Sequence, residues 1–206
     1  MRGRPAVRGA GATRYTRAVD DLLLHACCGP CSTVAVPAWR ERGVEPVAWF
    51  RNPNIQPAAE LRRRAESMAR FARAVALDVL FEEAAPEEGW AAWEASLSAA
   101  PPGRRCAACL GLRLDEAARA AQALGLRSFA TTLTVSPYQP HDLIAAAGQR
   151  AAERHGVTYL SLDLRSSYRL SYSESRRLGL YRQPYCGCAA SKWEAWHERA
   201  SRRRAG

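Results

Sequence analysis

The stretch Leu22-Leu23-Leu24-His25-Ala26-Cys27-Cys28-Gly29-Pro30-Cys31-Ser32 decides how the rest of the chain is read. Three consecutive leucines make the short, wholly apolar run of a buried strand. Three thiols follow at its end. Gly29 and Pro30 then punctuate the chain, and residues 33–42 read as a helix leaving the strand. A strand that turns tightly into a helix places the turn at the carboxyl edge of a sheet, where open α/β folds carry their chemistry. The N–H groups of a helix N-terminus favour negative charge, so a thiolate held there is stabilised. Cysteines used as small core hydrophobes do not usually cluster like this, and the trio therefore points to metal or redox chemistry.

Outward from that stretch, residues 45–50 read as a second strand running into Arg51-Asn52-Pro53-Asn54-Ile55-Gln56-Pro57, a loop punctuated by two prolines. Residues 58–76 place Leu61, Ala65, Met68, Ala72 and Val75 on one helical face and leave Arg62, Arg63, Arg70 and Arg73 mostly to a solvated one. Residues 78–81 make a third strand, and residues 86–97 a short helix in which Trp90 and Trp93 are packing residues. A Pro/Gly/Arg loop over residues 99–105 delivers Cys106. The following pattern, residues 106–124, is helical, so Cys106 and Cys109 share a face near its start and can grip one metal centre. A strand over residues 127–134, a helix over 140–155 and a strand over 158–162 come next, with Asp163 just past the last strand. A polar segment rich in Arg, Ser and Tyr leads to Cys186-Gly187-Cys188, and residues 190–199 form a last amphipathic helix. Strands alternating with helices predict an α/β fold, one parallel sheet with helices on both faces. The thiol groups meet only if the sheet brings their edges together.

At 206 residues the chain is long enough for one domain with a full core. No run approaches the roughly 20 apolar residues of a membrane span. Residues 1–20 are rich in Arg, Gly and Ala and lack an apolar core, so they read as a flexible basic tail rather than a signal peptide, and a cytoplasmic protein is expected. The formal net charge is +10, and Lys192 is the only lysine. Arginine forks suit a polyanionic partner such as RNA, although a GC-rich coding sequence produces the same bias. Seven cysteines, an odd number in a chain of this kind, argue against a disulfide framework.

Four chemistries compete for these thiols. Cys28-Gly29-Pro30-Cys31 matches the tetrad of thiol–disulfide exchangers, but Cys27 stands where those proteins carry Trp, and two further thiol pairs go unexplained. A structural zinc site in an RNA-binding protein would use Cys106, Cys109, Cys186 and Cys188 but leaves the opening trio idle. A pyrophosphatase-type nucleotide loop would sit at the same strand–helix turn, yet it wants Ser and Gly where thiols stand here. An iron–sulfur enzyme accommodates the surplus, because seven soft ligands exceed one four-ligand site.

Five motifs in order, HACCGPCS (His25 to Ser32), NPNIQP (Asn52 to Pro57), CAACLGLRL (Cys106 to Leu114), TTLTVSP (Thr131 to Pro137) and GLYRQPYCGC (Gly179 to Cys188), strongly resemble the QueH-type epoxyqueuosine reductases. The resemblance implies a single Rossmann-like domain of the nucleotide α-hydrolase kind, with a catalytic region over residues 21–200 between basic tails at 1–20 and 201–206. It implies reduction of the epoxide of epoxyqueuosine to queuosine at the wobble position of tRNA with GUN anticodons, without cobalamin. It further implies a 4Fe-4S cluster and an additional mononuclear metal ion, iron or zinc, with electrons from a ferredoxin or flavodoxin. Carried over by position, Cys27, Cys28, Cys106, Cys109, Cys186 and Cys188 would be metal-site thiols, Cys31 a ligand or a buried support, and Asp163 the family's acidic position. On that basis Cys106 and Cys109 with Cys186, Cys188 or both are expected to hold the cluster, and Cys27 and Cys28, with Asp163, the second metal. His25, Tyr185 and Asp163 are the candidate proton donors, and Arg182 and Gln183 the candidate RNA contacts. A monomer is expected.

Overall fold

The structure, a computed structural model, describes residues 21–82, 86–98 and 104–205. The basic tail expected over residues 1–20 and most of the loop expected over 99–105 lie outside the described residues. Five parallel strands, β1 (Leu22–His25), β2 (Val47–Phe50), β3 (Val79–Phe81), β4 (Ser128–Thr131) and β5 (Thr158–Tyr159), form one sheet in the order β3-β2-β1-β4-β5. This is a Rossmann-like doubly wound order, and it reverses at β1. The α/β fold and parallel sheet expected from the sequence are therefore present.

Among the described residues seven helices connect and flank the strands: α1 (Gly29–Arg40), α2 (Ala58–Val75), α3 (Pro86–Ser98), α4 (Arg105–Ala123), α5 (His141–His155), α6 (Tyr168–Arg177) and α7 (Ala189–Ala205). Helix α1 packs on α2 and α6, whereas α4 packs on α3 and α5. Right-handed crossovers around a strand order that reverses at β1 put these two sets on opposite faces of the sheet. Leu22, Leu23 and Leu24 are buried from both sides, which is why β1 reads as an unbroken apolar run rather than an alternating one.

Several elements differ from their sequence reading for physical reasons. Helix α1 begins at Gly29, not residue 33, because proline costs nothing in a first turn where its missing N–H would have no partner. Cys28 is thus the cap residue, and Cys31 lies inside the first turn. Close packing constrains that start: a Cβ on Gly29 would sit 2.6 Å from the Ser67 carbonyl oxygen of α2. Strand β4 stops at Thr131 because hydroxyls take over the backbone bonding there. Thr131 Oγ1 accepts from the Leu133 N–H at 3.2 Å, and Thr134 Oγ1 donates to the Thr131 carbonyl at 3.2 Å, turning residues Thr132–Val135 into a 3-10 helix. Helix α6 lies in the segment read only as polar, since its buried residues are Ser171 and Ser175 rather than apolar side chains. Arg202, Arg203 and Arg204, expected in a basic tail, belong to α7, where Arg202 donates to Glu198 one turn earlier at 2.6 Å.

The buried face of α2 is also rotated from the expected one and centres on Glu60, Arg64, Ser67, Met68 and Phe71. Arg64 Nε donates to Glu60 Oε1 at 2.7 Å, and both side chains are buried. The rest of the guanidinium donates to the backbone carbonyls of Cys186 at 2.7 Å and Tyr185 at 3.0 Å. Tyr181 Oη donates to the other Glu60 oxygen at 2.7 Å. One ion pair on α2 therefore holds the irregular segment that carries Cys186 and Cys188. Replacing one partner of a buried pair leaves a charge stranded, at a cost of about 3–5 kcal/mol. Arg64→Leu is accordingly expected to lower the unfolding free energy by that order in urea titration. A double Glu60→Gln/Arg64→Leu variant should recover part of it, and equal losses in both variants would contradict the pairing.

Candidate metal centre

Strands β1 and β4 are the neighbours at which the sheet's winding reverses, and ligands of such sheets bind beyond the carboxyl ends at this point. The chain leaves β1 through Ala26, Cys27 and Cys28, and the Sγ atoms of Cys27, Cys28 and Cys31 all lie within 4.8 Å of one another. Cys27 and Cys28 Sγ are 3.9 Å apart. Thiolates around one tetrahedral ion at about 2.3 Å stand roughly 3.8 Å from each other, so the trio fits a single soft metal ion with little movement. Thr132, across the switch point, lies 3.9 Å from Cys27 Sγ through its hydroxyl.

The three thiols do not share charge evenly. Hydrogen bonds from the Cys28 and Cys31 thiols, aided by the positive charge of Arg113, hold Cys27 well below the ordinary thiol range despite its burial. The same contact with Cys27 pushes Cys28 up to about 12 and Cys31 upward as well. A thiol–disulfide exchanger needs an accessible attacking thiol of lowered pKa. Cys28, at 0% exposure and pushed upward, is the opposite.

The remaining thiols approach from two other elements. Cys106 and Cys109 lie in the first turns of α4, and Cys186 and Cys188 in the clamped segment before α7. Cys109 feels the charge of both Cys186 and Cys188, and Arg105 that of Cys106 and Cys188, so the two pairs face one another. All seven thiols are free of disulfides. Gly187 between the last pair is required by close approach, since a Cβ there would meet Asn54 Nδ2 at 2.7 Å.

Arg113 joins the groups. It lies on α4 one turn beyond Cys109 and is only 2% exposed, yet among the described residues no carboxylate pairs with it. One guanidinium nitrogen donates to Asn52 Oδ1 at 2.9 Å, while Nε has no partner. Its charge instead acts on the thiols of Cys27, Cys109 and Cys186, one from each cysteine group. The spacing Cys106, Cys109, Arg113 puts all three on one helical face, a signal the sequence reading passed over. Arg64 carried a comparable signal as a member of α2's inward face.

Thiols and guanidinium open onto a cavity of about 510 Å³ whose lining includes Cys27, Cys31, Arg113, Gln183, Tyr185 and Cys186. Of the expected RNA contacts, Gln183 Nε2 donates to Cys28 Sγ at 3.0 Å, and Arg182 lies 3.4 Å over the Tyr172 ring while donating to the Ser171 carbonyl at 2.8 Å. Of the expected proton donors, Tyr185 lines the cavity. Its hydroxyl donates to the Gln56 carbonyl at 2.5 Å, and burial pushes it up to about 12, so it keeps its proton. His25 lies beneath the site, fully buried, with Nδ1 hydrogen-bonded to Thr131 Oγ1 at 2.8 Å; burial and the nearby Arg113 charge push it down to about 3, leaving a neutral ring. Asp163 is outside the cavity lining, in an exposed segment. Its carboxylate is bound by Arg165, which holds it down to about 2.

A sequence model of the family described as Epoxyqueuosine reductase QueH matches residues 22–194. The chain is 34% identical over 173 residues to the Epoxyqueuosine reductase QueH of Dehalococcoides mccartyi, covering 84% of this chain and 93% of that one. It is 32% identical over 193 residues to the protein of that name from Thermotoga maritima, covering 90% and 98%. Among solved structures it is similar to a predicted subunit of tRNA methyltransferase from Methanocaldococcus jannaschii at 13% identity and a TM-score of 0.49, covering 75% and 74%, a likeness too slight to bear on function. The match over most of the domain and the extent of these identities place one conclusion beyond the motifs themselves: the chain belongs to the epoxyqueuosine reductase QueH family.

Proposed function

We propose that this protein reduces the epoxide of epoxyqueuosine at the wobble position of tRNA with a GUN anticodon, yielding queuosine without cobalamin. The observation that carries the reading is the convergence of three cysteine groups on one buried guanidinium at the switch point of the sheet, beside an open cavity. Loss of the epoxide oxygen as water takes two electrons and two protons. A 4Fe-4S cluster on Cys106, Cys109, Cys186 and Cys188, and a mononuclear iron or zinc ion on Cys27, Cys28 and Cys31, would supply single electrons and a Lewis acid. Asp163 joins this set only by exchanging its Arg165 partner.

The chain's own groups prepare that chemistry. Arg113 supplies positive charge beside the thiols of Cys27, Cys109 and Cys186, and it favours the ionised form of Cys27. Gln183 fixes Cys28 through its amide N–H, the kind of outer contact that orients a metal ligand. Tyr185 lines the cavity and keeps its Oη proton, held by the Gln56 carbonyl, and it delivers one proton to the departing oxygen while water supplies the second and reprotonates Tyr185. His25, neutral and tied to Thr131, supports the turn from below. Arg182 and Gln183 face the incoming nucleotide. A ferredoxin or flavodoxin reduces the monomeric, cytoplasmic enzyme. No helix among the described residues is long and apolar enough to cross a membrane.

Two outcomes test this reading. Anaerobically prepared protein, given a reduced flavodoxin and epoxyqueuosine-containing tRNA, is expected to form queuosine detectable by nucleoside mass spectrometry. Cys27→Ser and Cys106→Ser should each lower turnover by about 100-fold or more, the upper range for losing a metal-site contact; full turnover in both variants would defeat the assignment. The role of Arg113 has its own readout. Arg113→Met should weaken zinc binding by the metal-free protein about 10- to 100-fold, measured by competition with a chromophoric chelator, whereas Arg113→Lys retains most of the affinity. Unchanged affinity in Arg113→Met would remove the guanidinium from the site's charge balance.

A further inference from the structure

Among the described residues Tyr138 is the most exposed aromatic side chain, at 81%, yet it lines the same cavity as Cys27 and Cys31, which are each 8% exposed. The cavity therefore runs from thiols at its floor to a tyrosine at its mouth. Tyr138 is not loose there. Its ring meets Tyr168 edge to face, with centroids 5.8 Å apart and planes at 82°. Tyr168 meets Tyr172 in the same manner at 5.4 Å and 83°, and their hydroxyl oxygens lie 3.3 Å apart. Arg182 closes the array, its guanidinium 3.4 Å from the Tyr172 centroid. Three rings from two separate segments are thus locked together, and the outermost presents an open surface to solvent at the entrance of the site.

The charge of the same lining narrows the occupant. Among the described residues no carboxylate pairs with Arg113 or Arg182, and Glu198, the acidic residue of the lining, is neutralised by Arg202 at 2.6 Å. An open aromatic surface beside unbalanced arginine charge suits a flat, anionic ligand. Unpaired RNA bases stack on such rings while their phosphates meet the cations.

Building on the tRNA reading above, we propose that Tyr138, backed by Tyr168, is a stacking platform for the unpaired base next to the reacting nucleotide. A base that reaches the thiols at the floor cannot also cover a ring at the mouth, so the platform takes a neighbour in the strand. Its function is to splay the loop and fix the depth to which the reacting nucleotide enters.

The test is a thermodynamic cycle between protein and RNA, using the full chain and anticodon stem-loop RNAs with a GUN anticodon. One RNA is intact, one has an abasic nucleotide on the 5′ side of the wobble position, and one has it on the 3′ side. Affinities are read by fluorescence anisotropy, alongside thermal unfolding to verify that the exposed substitution leaves the fold intact. Tyr138→Ala is expected to weaken binding of the intact loop roughly 5- to 100-fold, the range of one base–aromatic stack, and Tyr138→Phe to retain the affinity that the ring provides. One abasic loop should bind wild type and Tyr138→Ala equally weakly, which identifies the stacked neighbour. Equal losses with all three RNAs, or no loss with any, would overturn the platform while leaving the tRNA reading standing. Failure of the wild-type protein to bind any of the loops would overturn both.

Discussion

A fully buried guanidinium with no carboxylate among the described residues to pair it is the constraint on which the site depends. Removing an arginine from water costs several kcal/mol even after the protein relaxes, and the cost must be offset by negative charge close by. Around Arg113 the neutral amide of Asn52 satisfies one nitrogen, and the groups able to supply charge are Cys27, Cys109 and Cys186. Each belongs to a different cysteine group. The cation thus sits where thiols from three distant segments meet, and an ionised thiol is the form that binds soft metals.

The fold holds these segments with unequal stiffness. The first trio rides the β1–α1 turn, pinned by β4 on one side and by the close approach of Gly29 to α2 on the other. Cys106 and Cys109 are set by the first turns of α4. Cys186 and Cys188 have no strand or helix beneath them, and there the Glu60–Arg64 pair does the positioning by gripping two carbonyls of the segment. Buried ion pairs of this kind contribute little net stability compared with apolar packing, but they fix geometry where regular structure does not. Two buried arginines therefore divide the work: Arg64 places the last thiols and Arg113 sets the charge they meet.

Much of this was readable in the sequence wherever the residues obeyed a simple period. The three leucines of β1, the strand–helix alternation and the pairing of Cys106 with Cys109 on one face all follow from apolar or helical spacing, and all stand in the structure. Elements built on polar contacts escaped the same reading. Helix α6 buries Ser171 and Ser175, so no hydrophobic stripe announces it. Strand β4 ends early because threonine hydroxyls capture its backbone groups. Arg64 and Arg113 look like surface residues in a chain crowded with arginine, and their helical spacing hints at an inward face that the tertiary contacts confirm. Asp163 illustrates the reverse: proximity to a strand end suggested a place at the site, whereas Arg165 holds it in an exposed segment.

The most direct test of a common redox metal site is the iron and acid-labile sulfide content of protein purified without oxygen, combined with electron paramagnetic resonance. The account predicts about four sulfides and about five irons per chain, or about four irons if zinc fills the second site, with a signal that appears on one-electron reduction. Zinc without sulfide, or metal-free protein with a disulfide between Cys28 and Cys31, would contradict it.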